Sequence, residues 1–247
     1  AQREQPRRGL IAALEGRWDD VRRQARDLAA KPVPGSWATC FQCAAPYGES
    51  FDVQPDSVLV YGLADTAARV RQWRRHGYQT QLMTGIAWGG YQDYLYGRFD
   101  GLEHLDDAQM DREGQRISHG GDIYYMVPTK PYTDFLCQFI GRSFDVPLDG
   151  VCLEEPEFWM RGGWSPAFRR EWEAFYGEAW TAPDSSYTAC YRASKLRKEL
   201  YRRCLQDVCD YVKQNKPQWE VTVATHSLIN YANWGIASPE SALADIA

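Results

Sequence analysis

At 247 residues with 44% hydrophobic content, the chain is long enough to bury a sizeable core as a single domain. Lys plus Arg number 28 against 33 Asp plus Glu, and the resulting net charge of −5 argues against nucleic acid as a main partner, which would leave a basic imprint. No apolar run approaches the ~18 residues that a membrane span needs, so no membrane partner is expected.

Leu10, Leu14, Trp18, Val21, Ala25 and Leu28 recur at helical steps, which predicts an amphipathic N-terminal helix closed by Pro32 and Pro34. Residues 1–34 thus read as a helix and linker ahead of a domain over 35–247. Trp37–Phe41 and Ser57–Tyr61 are the first two predicted strands. A helix over 63–76 stops at Gly77, and Tyr78–Ile86 forms a third strand running into Trp88 and Tyr91. A polar segment over 97–121 has no periodicity. Asp122–Thr129 is expected as a strand, 131–142 as a helix, and the apolar run to Leu153 as another strand. Helices over 165–176 and 189–214 follow, then a last strand, Trp219–Thr225, leading to His226 and Asn230.

Strands alternating with helices predict an α/β fold with a parallel sheet. Polar and aromatic side chains gather after the strands, as they do on the active face of a (β/α)8 TIM-type barrel. No Gly-rich phosphate loop follows an early strand, which excludes a dinucleotide-binding fold. Only five to six strands can be counted, so the expectation is an incomplete barrel, read as a fragment. Its open edge would favour a homo-oligomer. The seven cysteines are irregularly spaced and suit reduced thiols, a pattern that favours a cytoplasmic setting. Cys40-Phe41-Gln42-Cys43 lacks the second pair that a zinc site requires.

Chemistry concentrates in Leu153-Glu154-Glu155-Pro156-Glu157-Phe158-Trp159, where three carboxylates leave the core beside two aromatics. Crowded, partly buried acids resist joint ionisation, so at least one is expected to hold its proton near neutrality. A protonated carboxyl of this kind is what cleavage of a glycosidic bond uses.

Glu154-Glu155-Pro156, placed as after the fourth strand of a barrel, together with Trp164-Ser165-Pro166-Ala167-Phe168-Arg169-Arg170-Glu171-Trp172 and Tyr176-Gly177, resembles the catalytic barrel of clan A glycoside hydrolases, nearest to the family 42 β-galactosidases. The resemblance spans about two thirds of the chain. It implies a glycosidase acting on a β-linked carbohydrate substrate without cofactor or metal. Glu155 takes the acid/base position and Glu154 stands where the family has asparagine. The family's nucleophile follows a seventh strand that the sequence does not reach. Beside Glu155, substrate contacts are expected from Glu154, Glu157, Trp88, Tyr91, Trp159, His226 and Asn230. Two other readings stay open: a divalent-metal barrel isomerase or hydrolase using Glu155, Glu157, His226 and His119 as ligands, and a carbohydrate-binding relative without turnover.

Overall fold

The computed structural model describes residues 39–62, 65–226 and 235–237. The predicted N-terminal helix and Asn230 lie outside them. In chain order the elements are β1 (Cys40–Cys43), β2 (Ser57–Tyr61), α1 (Thr66–Arg75), β3 (Gln79–Gly85) and α2 (Gln92–Leu95). A hairpin of β4 (Ser118–Gly120) and β5 (Ile123–Tyr124) precedes α3 (Lys130–Gly141) and β6 (Gly150–Glu154). Then come β7 (Phe158–Trp159), α4 (Pro166–Tyr176), α5 (Tyr187–Asn215), β8 (Glu220–Ala224) and β9 (Ile236–Ala237).

One sheet carries the site. Its order is β1-β2-β3-β6-β8, with every neighbouring pair parallel. Spatial order follows chain order without reversal. A doubly wound sheet would reverse at a switch point, so this is the strand arrangement of an incomplete (β/α) barrel. β6 is the fourth strand of this sheet.

The register sorts the side chains onto two faces. Leu82, Val151 and Leu153 alternate onto one face and are buried with Val58 and Val60 in the main core. Gln42, Leu59, Tyr61, Gln81, Cys152, Glu154 and Thr222 share the opposite face. That second face is polar and internally bonded, for Thr222 donates its hydroxyl to Gln81 Oε1 at 3.1 Å. Leu59 and Tyr61 on it remain half-exposed.

The helices form where caps and apolar spacing agree. Ser165 accepts from the Phe168 N–H, Pro166 opens α4, and Gly177 ends it at φ +66. Ser186 caps α5, whose buried Ala189, Ala193, Leu196, Leu200, Cys204 and Val208 recur at steps of three and four. α5 packs against α3. No helix of the described residues is long and apolar enough to cross a membrane.

One predicted strand does not join the sheet. Of Asp122–Thr129 only Ile123–Tyr124 is extended, and it pairs antiparallel with β4. Met126 instead donates its N–H to Ala87 O at 2.7 Å and Val127 donates to Asp107 O. Tyr125, Met126 and Val127 are all buried, so their apolar run reports a segment packed beyond the end of β3. A short buried run cannot be told from a core strand by periodicity. Among the described residues the parallel strands therefore number five.

Candidate active site

The ends of β3, β6 and β8 build the site. Where β3 stops, Ile86 donates its N–H to Glu154 O at 2.8 Å. A Cβ at Gly85 would lie 2.1 Å from Trp88 O, so the tight return of the chain here requires glycine. That return brings Trp88 to the end of β6, where its indole N–H reaches Glu155 Oε2 at 2.8 Å. His119 stacks on the Trp88 ring at 3.8 Å with 7° between planes. The hairpin that carries His119 thus backs the indole.

β6 ends in strain. Glu155 has φ +53 although it is neither glycine nor asparagine, at a cost of roughly 1–3 kcal/mol. Its N–H is fixed by Ala224 O at 2.9 Å. The left-handed step folds Pro156 and Glu157 back over the strand end. Such outliers persist where the surroundings over-determine them, often at functional sites.

His226, two residues past β8, joins two carboxylates. Its Nδ1 lies 2.6 Å from Glu157 Oε1 and its Nε2 lies 3.1 Å from Glu155 Oε1. Two ionised carboxylates around one imidazole require both ring nitrogens to carry protons; otherwise one carboxyl must keep its own. Glu157 is the better holder, since its side chain is 2% exposed against 17% for Glu155. Burial first, and then the charge of Glu155, push the Glu157 carboxyl well above the usual range. Gln109 fixes this loop from beneath. Its amide donates to Glu157 O at 3.0 Å and to Met126 O at 3.1 Å, and accepts from the Trp159 N–H at 3.0 Å.

Glu154 stands on the polar sheet face, 8% exposed. Tyr61 and Gln42 hydrogen-bond to it, yet its Oε2 has no partner among the described residues. Burial, followed by repulsion from Glu155, raises its carboxyl, although the Tyr61 hydrogen bond opposes this.

The structure thus brings Glu154, Glu155, Glu157, Trp88 and His226 to one strand end. Trp159 borders them, half-buried, with Tyr125 edge-on at 5.4 Å. Tyr91 does not join them. It is 1% exposed, packs edge-on to Tyr132, Phe135 and Phe139, and gives its hydroxyl hydrogen to Gly85 O. Its ring is core and cannot serve as a sugar platform. Asn230 is outside the described residues. Sequence reasoning missed Gln109, which lies in an unpatterned segment and gives no signal, and Tyr61, which ends a strand and could have been found by that position.

Glu155, Glu157 and His226 each present one ligand atom, all within 4.8 Å of one another, and could hold a divalent ion. All seven cysteines are free thiols.

Parallel strands in chain order, with the carboxylates grouped just past the fourth, define an incomplete (β/α) barrel with an acidic strand end. Among solved structures, the α-L-fucosidase isoenzyme 2 from Paenibacillus thiaminolyticus is similar over 69% of this chain and 27% of its own, with a TM-score of 0.50 and 10% identity. The PgaB (BpsB) glycoside hydrolase domain from Bordetella bronchiseptica is similar over 70% of this chain and 56% of its own, with a TM-score of 0.51 and 10% identity. The chain spans less than two thirds of either, and the likeness is one of fold. Neither is a family 42 β-galactosidase, so that finer resemblance gains no support. No protein-family model matches the sequence. No curated protein matches it either.

Proposed function

We propose that this strand end hydrolyses a glycosidic bond, with Glu155 as acid/base. The observation that carries the reading is the double clamp on Glu155, whose two oxygens are held by the Trp88 indole and by His226. A carboxyl so placed is partly open to solvent, fixed in direction and connected through an imidazole to a second acid. It can give a proton to a departing glycosidic oxygen and recover one from water, a contribution of typically about 10²–10⁴-fold. Glu157 serves as the buried acid behind His226. Glu154, Trp88, Trp159 and His226 line the approach, and Glu154 can only accept hydrogen bonds from sugar hydroxyls when ionised. The β-linkage implied by the family 42 resemblance does not enter the proposal.

Glu155→Gln tests it. Hydrolysis of glycosides with poor leaving groups should fall by about 10²-fold or more while binding persists, and activated aryl glycosides should be affected far less. Equal loss on both substrates, or no loss, overturns the assignment.

The compact Glu155, Glu157 and His226 group favours one second reading, a metal-assisted hydrolase or isomerase. One divalent ion per chain surviving dialysis, lost together with activity in His226→Ala, would establish it in place of the first.

A further inference from the structure

The segment that follows Trp159 in the chain lines a pocket of about 810 Å³ whose walls include Arg112, Met160, Arg161, Trp164, Tyr187 and Arg197. We propose that it is a subsite for an anionic carbohydrate, taking a carboxylate or sulfate ester carried by the sugar unit next to the bond under attack. The inference rests on the reading of the chain as one that acts on carbohydrate.

Arg197 is the first observation. It is 1% exposed and makes no ion pair with a carboxylate among the described residues, its guanidinium lying 5.7 Å from each of the Phe158 and Phe168 rings. Its Nη2 donates to Met160 O at 3.0 Å and Gly162 O at 2.6 Å, its Nη1 meets only the Met160 sulfur, and its Nε has no partner. A buried guanidinium without a counter-ion is costly, and an oxyanion in the adjoining pocket would offset that cost.

The second observation is independent of it. Ser186, Tyr187 and Cys190, from the first turn of the 29-residue helix α5, line the same pocket. That first turn contains no acidic side chain to complement the positive end of the helix dipole. Ser186 caps only the Ala189 N–H. Arg161 adds a third positive group: it is exposed, lies 5.2 Å over the Trp159 ring and makes no ion pair among the described residues.

The pocket also holds three acids, and two are engaged. Asp184 pairs with Arg112 at 2.7 Å, and Asp111 accepts from the Gln115 N–H at 2.8 Å. Glu113 also lines the pocket. The lining sets three arginines against these three acids, so an anion would be drawn by the buried Arg197 and the helix end and not by net charge. The exposed Tyr187 ring and the Trp164 ring supply apolar surface of the kind sugar rings stack on. Because Arg161 directly follows Trp159 and Met160, the pocket adjoins the acid cluster along a single segment.

The test compares trigalacturonate with neutral galactotriose, and galactose 6-sulfate with galactose, by calorimetry at constant ionic strength. Whichever acidic partner the pocket takes should bind at least about tenfold tighter than its neutral counterpart. Arg161→Gln should remove about tenfold of that preference. Tyr187→Glu, which sets a carboxylate at the mouth while suiting the helix N-terminus, should remove it altogether. Both changes are at exposed positions, so folding is preserved; binding of neutral sugar should not move in Arg161→Gln and should weaken in Tyr187→Glu, which also removes a stacking ring. Equal binding of acidic and neutral sugars, or preference unchanged in both variants, overturns the subsite. Acidic sugar bound but not hydrolysed would sink the hydrolase reading and leave the subsite standing. Neutral glycosides hydrolysed without any acidic preference would do the reverse.

Discussion

Trp88 and Glu155 stand 67 positions apart in the sequence, yet the indole N–H of one meets the carboxylate of the other at 2.8 Å. The contact exists because Gly85 lets the chain turn back at the end of β3 and the left-handed backbone of Glu155 swings its side chain to meet it.

Trp88→Phe keeps an aromatic surface for His119 to stack on but deletes the donor. Hydrogen bonds to charged groups are worth about 1.5–3 kcal/mol, so kcat should fall by roughly ten- to a hundredfold with KM nearly unchanged. Stability should change by less than activity, because Glu155 is partly exposed and water can replace the indole. Steady-state kinetics together with thermal unfolding separate the two effects; a rise in KM alone would assign Trp88 to substrate binding.

Glu157 gives a pH signature. Its carboxyl, ordinarily at 4.5, is pushed up to about 7 by burial. The folded state therefore holds a proton between pH 4.5 and about 7 that the unfolded chain has released, and stability from this group declines as pH rises through that window. The slope approaches ~1.4 kcal/mol per pH unit for one full proton. Glu157→Gln should flatten it, as denaturant titrations from pH 4 to 8 would reveal. A slope that persists in the variant would place the proton elsewhere.

The parallel strands that position the site were legible because their apolar runs are short, bounded by turn residues and separated by capped helices. Glu154, Glu155 and Glu157 stood out because carboxylates rarely end a buried strand without a reason. Tyr91 misled, since an aromatic after a strand looks the same in sequence whether it lines a rim or, as here, anchors α2 in the core. Gln109 was invisible. Its role depends on contacts with residues 126, 157 and 159, and no local pattern encodes a side chain that satisfies distant backbone groups.

Tyr91→Ala should accordingly destabilise the fold by ~3–5 kcal/mol, in the range for a large buried aromatic. Tyr91→Phe, which loses only the hydroxyl bonds to Gly85 O and Thr84, should cost about 1–2 kcal/mol. In both, sugar affinity of the folded fraction should match the parent. A selective loss of sugar binding at unchanged stability would return Tyr91 to the binding surface.

Gln109→Ala removes four hydrogen bonds, the longest at 3.5 Å to the Tyr201 hydroxyl, from a side chain that is fully buried. The groups left behind include the Trp159 N–H and the Glu157 carbonyl, and an unsatisfied buried group costs about 1–3 kcal/mol. A loss of roughly 2–4 kcal/mol is expected. Because the loop carrying Glu157 loosens, kcat should fall even at temperatures where the variant is fully folded. Gln109→Glu keeps the size but replaces a donor by a carboxylate facing two carbonyls, and should be worse than alanine. Circular dichroism melts and kinetics at low temperature distinguish the folding cost from the catalytic one.

Glu154 separates stability from function most cleanly. An ionised carboxylate that is 92% buried, with one oxygen unpartnered and Glu155 beside it, opposes folding above the pH at which it loses its proton. The sign follows from its raised carboxyl: the contribution is favourable at acid pH and is lost as pH rises through the folded value. Glu154→Gln keeps the shape and the Tyr61 contact while removing the charge. It should raise the melting temperature at pH 8 and leave it nearly unchanged at pH 4. If Glu154 also accepts hydrogen bonds from a sugar, the same variant should weaken substrate binding, seen as a higher KM. A more stable protein with full activity would make Glu154 a structural carboxylate, and a less stable one would mean that its charge meets a cation at the mouth of the sheet.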